Sequence, residues 1–162
     1  MTVIWLNGTV GAGKSAVAQA LARIIPSAVC LDGDDYAGPS SLPRRLRWRG
    51  ALDALSRAVA RKGTCATLII AYPLDRLGHA RLRAACRQSR RRCVVINLAV
   101  PLPMTLRGRG GRMLDDRERV RVRAMRSEGY HRRPFADMTV FNVMQPPRRT
   151  AMAIARRLAR SS

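Results

Sequence analysis

An eight-residue segment near the start of the chain constrains the fold more than any other feature. Residues 8–15 (GTVGAGKS) match the phosphate-loop pattern G-x-x-x-x-G-K-[ST] at every fixed position. The apolar run Thr2–Asn7 before the loop predicts a buried strand, and residues 13–25 after it predict a helix ended by Pro26. A loop between a strand and a helix points backbone N–H groups at phosphate, and the helix dipole favours the negative charge. We therefore expect this loop to hold the phosphates of a nucleotide, with contacts from Gly8, Thr9, Val10, Gly11, Ala12, Gly13, Lys14 and Ser15.

Apolar runs and helical patterns alternate along the rest of the chain. Further strands are predicted at 28–31, 64–72, 93–100 and 138–142, and further helices at 44–61, 75–88 and 147–160. This alternation predicts a three-layer α/β fold in which a five-stranded parallel sheet is flanked by helices. At 162 residues the chain predicts one domain, residues 1–162, with an Arg-rich polar segment at about 107–133 acting as a lid.

Acidic residues follow the second predicted strand as Asp32-Gly33-Asp34-Asp35. Ligands of such sheets bind at the carboxyl ends of the strands, so these carboxylates face the same crevice as the phosphate loop. Acidic groups there can hold Mg²⁺ through water or accept the proton of an attacking hydroxyl, although an Asp/Gly turn can also be merely structural.

The third strand ends in IIAYP, without the acid that motor ATPases and switch GTPases usually carry there. The absence of this acid argues against motor ATPases and switch GTPases. We therefore expect Asp32 to bind the metal instead. Tyr72 and Arg76, at the carboxyl end of this strand, are placed to contact an acceptor molecule.

The predicted lid is broken by glycines and dense in arginine. Arg112 could reach across bound phosphates, and the following helix is predicted to present one face made of Arg119, Arg123 and Arg126. A mobile arginine lid neutralises charge on a transferring phosphoryl group and excludes water. The alternative is a solvated helix whose charge is balanced by nearby acids.

The formal net charge is +21, from 31 basic and 10 acidic residues, and all but two of the basic residues are arginine. A nucleic-acid partner would explain this charge, but the arginines are spread over nearly every segment, which favours a codon bias toward arginine. Locally, an anion pocket or a coated helix surface could be formed by Arg44, Arg45, Arg47 and Arg49. No apolar run approaches the roughly 20 residues of a membrane span, so we expect a cytoplasmic protein.

Together, the loop, the LDGDD turn and the lid resemble the small P-loop kinases of the nucleoside-monophosphate kinase superfamily. The turn is similar to the D-G-D of adenylylsulfate kinase and gluconate kinase and to the D-x-D of shikimate kinase. Residues 115–131 (DDRERVRVRAMRSEGYH) are similar to the lid-side helix of adenylate kinase. Antibiotic phosphotransferases have the same general arrangement of these elements.

The resemblance implies ATP-dependent transfer of the γ-phosphate to a hydroxyl of a small-molecule acceptor, with Mg²⁺. By position, it implies that Lys14 bridges the phosphates, that Ser15 and Asp32 hold the metal, and that Asp34 contacts or deprotonates the acceptor. Other implied contacts are Asp35 with the acceptor, Arg109 and Asn142 with the nucleotide, and Arg112 and Arg123 as catalytic lid arginines.

Two alternatives remain open from the sequence. One is a kinase of polynucleotide 5′-hydroxyl ends or of nucleotides. The other is a nucleotide-binding regulatory or RNA-associated module without turnover.

Overall fold

Five parallel strands form one sheet with helices on both faces. The computed structural model describes residues 1–61, 65–108, 113–143 and 146–160. The strands are β1 (Thr2–Asn7), β2 (Ala28–Asp32), β3 (Thr67–Ala71), β4 (Arg92–Ala99) and β5 (Met138–Phe141). The helices are α1 (Lys14–Ala22), α2 (Arg44–Ala60), α3 (Arg76–Gln88), α4 (Leu102–Leu106), α5 (Asp116–Ser127) and α6 (Pro147–Arg160), and a 3₁₀ turn spans Gly33–Tyr36. The strand order is β2-β3-β1-β4-β5, which confirms the predicted three-layer α/β architecture.

The central strand β1 divides the core into two layers because alternate side chains point to opposite faces of a strand. Ile4 and Leu6 pack with residues of α1 and α6 on one face. Val3 and Trp5 pack with residues of α2 and α3 on the other face. The phosphate loop therefore follows a strand that is paired on both edges and covered on both faces.

Several element boundaries differ from those predicted. Helix α1 ends at Ala22 rather than at Ile25, in keeping with the restriction that Pro26 places on the backbone before it. Helix α4 is not among the helices predicted from the sequence. Pro101 and Pro103 occupy the N-cap and the first turn, where proline needs no hydrogen-bonded N–H. None of the described helices is long and apolar enough to cross a membrane. The assignment of residues 1–162 to one domain stays a prediction.

Candidate active site

A cleft of about 800 Å³ opens at the carboxyl ends of β1, β2 and β3. The phosphate loop forms one wall, and α5 and its flanking loop close another side. Asp32, the last residue of β2, and Asp34, in the turn after it, line the cleft, together with Tyr72, which follows β3. The cleft therefore collects side chains that are far apart in the sequence, as expected where parallel strands end at one edge of a sheet.

The phosphate loop needs glycine at two positions for different reasons. At Gly8, an added Cβ would lie 2.7 Å from the carbonyl oxygen of Leu98, so the backbone approach to β4 excludes a side chain. Gly13 adopts a left-handed conformation (φ 82°) as the N-cap of α1, which disfavours residues with a Cβ. These constraints fix the turn that starts α1 at the cleft.

Lys14 lies inside the loop and is held by it. Its Nζ donates to the carbonyl oxygens of Thr9 (2.8 Å) and Gly8 (3.3 Å). Burial lowers the pKa of the Lys14 ammonium to about 8, while the charges of Asp34 and Asp32 act in the opposite direction. The ammonium therefore remains mostly charged at neutral pH, next to the loop that would hold phosphate.

The acidic turn is held in shape by its own first residue and by its packing. One carboxylate oxygen of Asp32 accepts a hydrogen bond from the backbone N–H of Asp34 (3.1 Å) and so caps the 3₁₀ turn. Gly33 is buried against the ring of Tyr72, where any Cβ would overlap ring carbons. This close contact positions the exposed Asp34 at the cleft.

Tyr72 lies between groups of opposite charge. Burial raises the pKa of its hydroxyl to about 12, with a smaller contribution from Asp34 in the same direction and one from Arg47 in the opposite direction. Since the phenol stays protonated at any physiological pH, it can donate a hydrogen bond in the cleft but cannot act as a base.

Asn142 is buried, and both ends of its amide bind protein groups. Its Nδ2 donates to the carbonyl oxygen of Ala12 in the phosphate loop (2.8 Å), and its Oδ1 accepts from the Thr150 hydroxyl (2.8 Å). The contact seen here ties the loop to β5 and α6, and the predicted contact of Asn142 with a nucleotide stays a prediction. The predicted roles of Arg109 and Arg112 fall on residues outside the described ranges.

Helix α5 lines the cleft with residues other than Arg119, Arg123 and Arg126, which form the arginine face predicted from the sequence. A capping box between Asp115 and Glu118 starts the helix. Arg121 lines the cleft and pairs with Glu128 at 3.0 Å. Arg123 is exposed and lies outside the cleft lining in the described part of the chain, and its predicted catalytic role stays a prediction.

Arg121 is not among the site residues predicted from the sequence, although the apolar residues of α5 point to it. Val122 and Met125 are the buried residues of α5, so they mark the side of the helix that faces the protein. Arg121 and Met125 are one turn apart and both line the cleft. The predicted arginine face (Arg119, Arg123 and Arg126) does not take the positions of Val122 and Met125 into account.

The remaining candidates divide between the cleft and the surface. Asp35 and Arg76 are exposed and do not line the cleft among the described residues, so their predicted acceptor contacts stay predictions. The arginines of α2 fall into two groups, according to whether they line the cleft. Those that line the cleft are Arg44, Arg45 and Arg47, with Trp48 beside them, whereas Arg49 is exposed outside it.

The residues predicted to hold a metal are compatible with Mg²⁺. Ser15 and Asp32 both line the cleft and offer hydroxyl and carboxylate oxygens, the hard ligands that Mg²⁺ prefers. No group of three or more His, Cys, Asp or Glu side chains that could hold a metal occurs within the described ranges. This arrangement suits a cation that is held largely by water and substrate phosphates.

This chain resembles known proteins in structure rather than in sequence. No family model and no curated protein matches this chain. A gluconokinase from Sinorhizobium meliloti 1021 superimposes with a TM-score of 0.73 at 20% identity, covering 99% of this chain and 94% of that one. The Mycobacterium tuberculosis APS kinase CysC, solved with AMPPNP and APS, gives 0.70 at 19% identity, covering 98% and 97%. The chain has the fold of the small P-loop kinases.

A third match extends the similarity to another acceptor chemistry. Shikimate kinase from Acinetobacter baumannii, in complex with shikimate, gives a TM-score of 0.69 at 19% identity and covers 100% of this chain and 95% of that one. The resemblance inferred from the loop, the acidic turn and the lid segment is therefore confirmed for the fold. Because the matched kinases differ in acceptor, the acceptor of this chain has to be argued from its own cleft.

Proposed function

We propose that this protein transfers the γ-phosphate of ATP to a hydroxyl group of a small-molecule acceptor. One observation carries the proposal: Lys14 of the phosphate loop and Asp34 of the acidic turn face the same cleft. A charged lysine there would attract the phosphates, and a carboxylate close by would take a proton from an attacking hydroxyl. The names of the structural neighbours, gluconokinase and shikimate kinase, indicate that this fold accommodates small acceptors.

The donor half would be formed by the phosphate loop. Its backbone N–H groups would cradle the phosphates, and Lys14 would exchange its contacts with the Gly8 and Thr9 carbonyls for phosphate oxygens. Ser15 and Asp32 would hold Mg²⁺. When bound, the metal ion would neutralise part of the negative charge of the phosphates. These roles agree with the positions of Lys14, Ser15 and Asp32, which all line the cleft at one edge of the sheet.

The acceptor half would be formed by the residues after β2 and β3. Asp34 would accept the proton of the acceptor hydroxyl while the hydroxyl oxygen bonds to the γ-phosphorus and the bond to the ADP oxygen breaks. Tyr72, protonated, would donate a hydrogen bond that orients the acceptor. Arg121, on the opposite wall, would balance the negative charge of the transferring group.

The proposal is tested by measuring ADP release with Mg-ATP over a panel of hydroxyl acceptors. The panel contains sugars, sugar acids, sugar phosphates, nucleosides, shikimate, adenylylsulfate, antibiotics and a 5′-hydroxyl oligonucleotide. Asp34→Asn is expected to lower acceptor-dependent release at least 100-fold, in the range typical of a lost general base. Asp53→Asn is the control, because Asp53 is a half-exposed residue of α2 that pairs with Arg81 and does not line the cleft.

Three outcomes separate the possible functions. Acceptor-dependent release that Asp34→Asn abolishes supports the proposal. Phosphorylation of the oligonucleotide alone, falling steeply with salt, would identify a polynucleotide kinase instead. Tight ATP binding without release over the whole panel would refute a kinase and favour a nucleotide-binding module.

A further inference from the structure

The first turn of α2 places three arginines on the acceptor side of the cleft. Arg44, Arg45 and Arg47 line the same cleft as Asp34 and Tyr72. Arg47 is partly engaged, since its Nε donates to the carbonyl oxygen of Gly38 (2.9 Å). The side chains of Arg44 and Arg45 are exposed and form no ion pair or hydrogen bond with any other described residue.

This concentration of positive charge is unfavourable for the helix itself. The N-terminal end of a helix carries partial positive charge, so acidic residues stabilise it and cations destabilise it. Helix α2 has no side-chain cap at Pro43 and no acidic residue in its first turn. Helix α5 of the same chain, in contrast, begins with a capping box and two acidic residues.

Cations at the N-terminal end of a helix, with no acidic residue or cap to offset them, are unfavourable for stability. Such unfavourable local arrangements are typical of functional sites. The three guanidinium groups repel one another and the helix dipole, and an anion bound in the cleft would relieve both repulsions. Such an anion would not be the nucleotide triphosphate, because the phosphate loop and Lys14 form a different wall of the cleft. The anion would belong to the acceptor.

The number of guanidinium groups indicates the charge of that anion. One guanidinium is sufficient to bind a carboxylate through two parallel hydrogen bonds. Three guanidiniums on one helical turn match a group with two negative charges and three terminal oxygens. Resting on the kinase function proposed above, we propose that the acceptor carries a dianionic phosphate monoester, bound by Arg44, Arg45 and Arg47, in addition to the hydroxyl that is phosphorylated.

Arg49 provides a matched control for this proposal. It lies on the same helix, two residues after Arg47, but is exposed outside the cleft. If the arginines only coat the helix, Arg49→Gln and Arg45→Gln should have the same effect. If they bind the acceptor, only the cleft arginines should matter.

The first experiment measures anion binding without turnover. The protein is saturated with Mg²⁺ and the non-hydrolysable analogue AMP-PNP, so that the phosphate loop is occupied, and inorganic phosphate is then titrated by calorimetry. Phosphate is expected to bind, acetate at equal ionic strength is expected to bind much more weakly, and Arg45→Gln is expected to weaken phosphate binding about tenfold or more. Equal binding of acetate and phosphate, or an equal loss in Arg49→Gln, would overturn the proposal.

A stability measurement excludes a purely structural role for the arginines. Without ligand, Arg44→Gln and Arg45→Gln are expected to raise the melting temperature, because each removes a cation from the positive end of α2. A structural arginine would instead lower the melting temperature on removal, which would contradict the proposal. The expected combination is therefore higher stability with weaker phosphate binding.

The second experiment compares matched acceptors: glucose, gluconate and glucose 6-phosphate, and adenosine and AMP. Higher kcat/KM for the phosphorylated member of a pair, lost in Arg45→Gln but kept in Arg49→Gln, supports the proposal. Transfer to a neutral acceptor that is unaffected by Arg45→Gln would refute the anion site but leave the kinase function intact. Phosphate binding that depends on Arg45, with no transfer to any acceptor, would refute the kinase function but leave the anion site intact.

Discussion

Replacing Gly33 by alanine is expected to destabilise the fold and to misplace the acidic turn. Gly33 is buried, and an added Cβ would overlap Cγ and Cδ2 of the Tyr72 ring and lie 2.7 Å from Tyr72 Cβ. The ring has little freedom to move away. Tyr72 is 6% exposed, its N–H donates to the Leu6 carbonyl (3.3 Å), and its carbonyl accepts from Trp5 Nε1 (2.7 Å).

The size of the effect follows from the kind of contact that alanine would create. Forcing an extra methyl group into a packed site typically costs about 1–3 kcal/mol. Gly50 is the opposite case, since it lies within α2 and an added Cβ would meet nothing within 4 Å. Gly50→Ala is expected to stabilise the protein by about 0.5–1 kcal/mol, because alanine is the better helix former. The two variants should therefore differ in unfolding free energy by about 1.5–4 kcal/mol, the sum of these ranges.

Urea unfolding followed by circular dichroism measures both free energies, and ADP release measures the effect on the turn. The contact with Tyr72 is isolated by a double-mutant cycle with Tyr72→Ala, which removes the overlapped ring atoms. Gly33→Ala should cost at least about 1 kcal/mol less in that background. A Gly33→Ala protein as stable as Gly50→Ala, or strict additivity with Tyr72→Ala, would refute the packing argument.

Three further predictions concern the loop, its anchor and α5. Because the pKa of Lys14 is about 8 without nucleotide and bound phosphate favours the charged form, the Kd of Mg-ATP should be constant below pH 8 and rise by up to tenfold per pH unit above it. Calorimetry between about pH 7 and pH 10 tests this, and a flat profile would contradict it. Asn142→Leu removes the hydrogen bond to the phosphate loop and leaves the buried Thr150 hydroxyl without its acceptor. Urea unfolding should therefore show that the free energy of unfolding falls by about 2–4 kcal/mol. A second substitution, Thr150→Val, should restore part of this loss. A loss below about 0.5 kcal/mol would show that neither bond matters. Arg121→Gln should lower kcat/KM about tenfold or more, whereas Arg117→Gln should leave it unchanged, because Arg117 lies one turn earlier on α5, is exposed and does not line the cleft. Equal effects would contradict the assignment of Arg121 to the cleft.

The features that could be predicted from the sequence are those specified by neighbouring residues. The phosphate loop is one continuous pattern, and its glycines are required by the local backbone, as at Gly13. The strands were recognisable because both faces of β1 and β4 are buried, which leaves uninterrupted apolar runs. The position of Asp34 at the cleft followed from one general rule about the carboxyl ends of parallel strands.

The features that could not be predicted depend on contacts between distant segments. Asn142 meets Ala12 across 130 residues of sequence, and nothing near either residue indicates that contact. Arg121 was missed because α5 has few buried residues, so its orientation depends on its packing beside the cleft rather than on a strong apolar stripe. The α2 arginines were ambiguous for the same reason, since four arginines near one helix end do not show which of them face inward.

Asp34 connects the two halves of the proposed site electrostatically. Its charge favours the protonated forms of both Lys14, on the phosphate loop, and Tyr72, on the acceptor side. If Asp34 takes the proton of the acceptor hydroxyl, its negative charge disappears at the moment when charge builds up on the leaving ADP. Lys14 would then interact with the leaving phosphates without competition from this carboxylate. In the proposed mechanism, an acid placed after β2, next to the strand that leads to Tyr72, therefore acts on both the donor side and the acceptor side of the cleft.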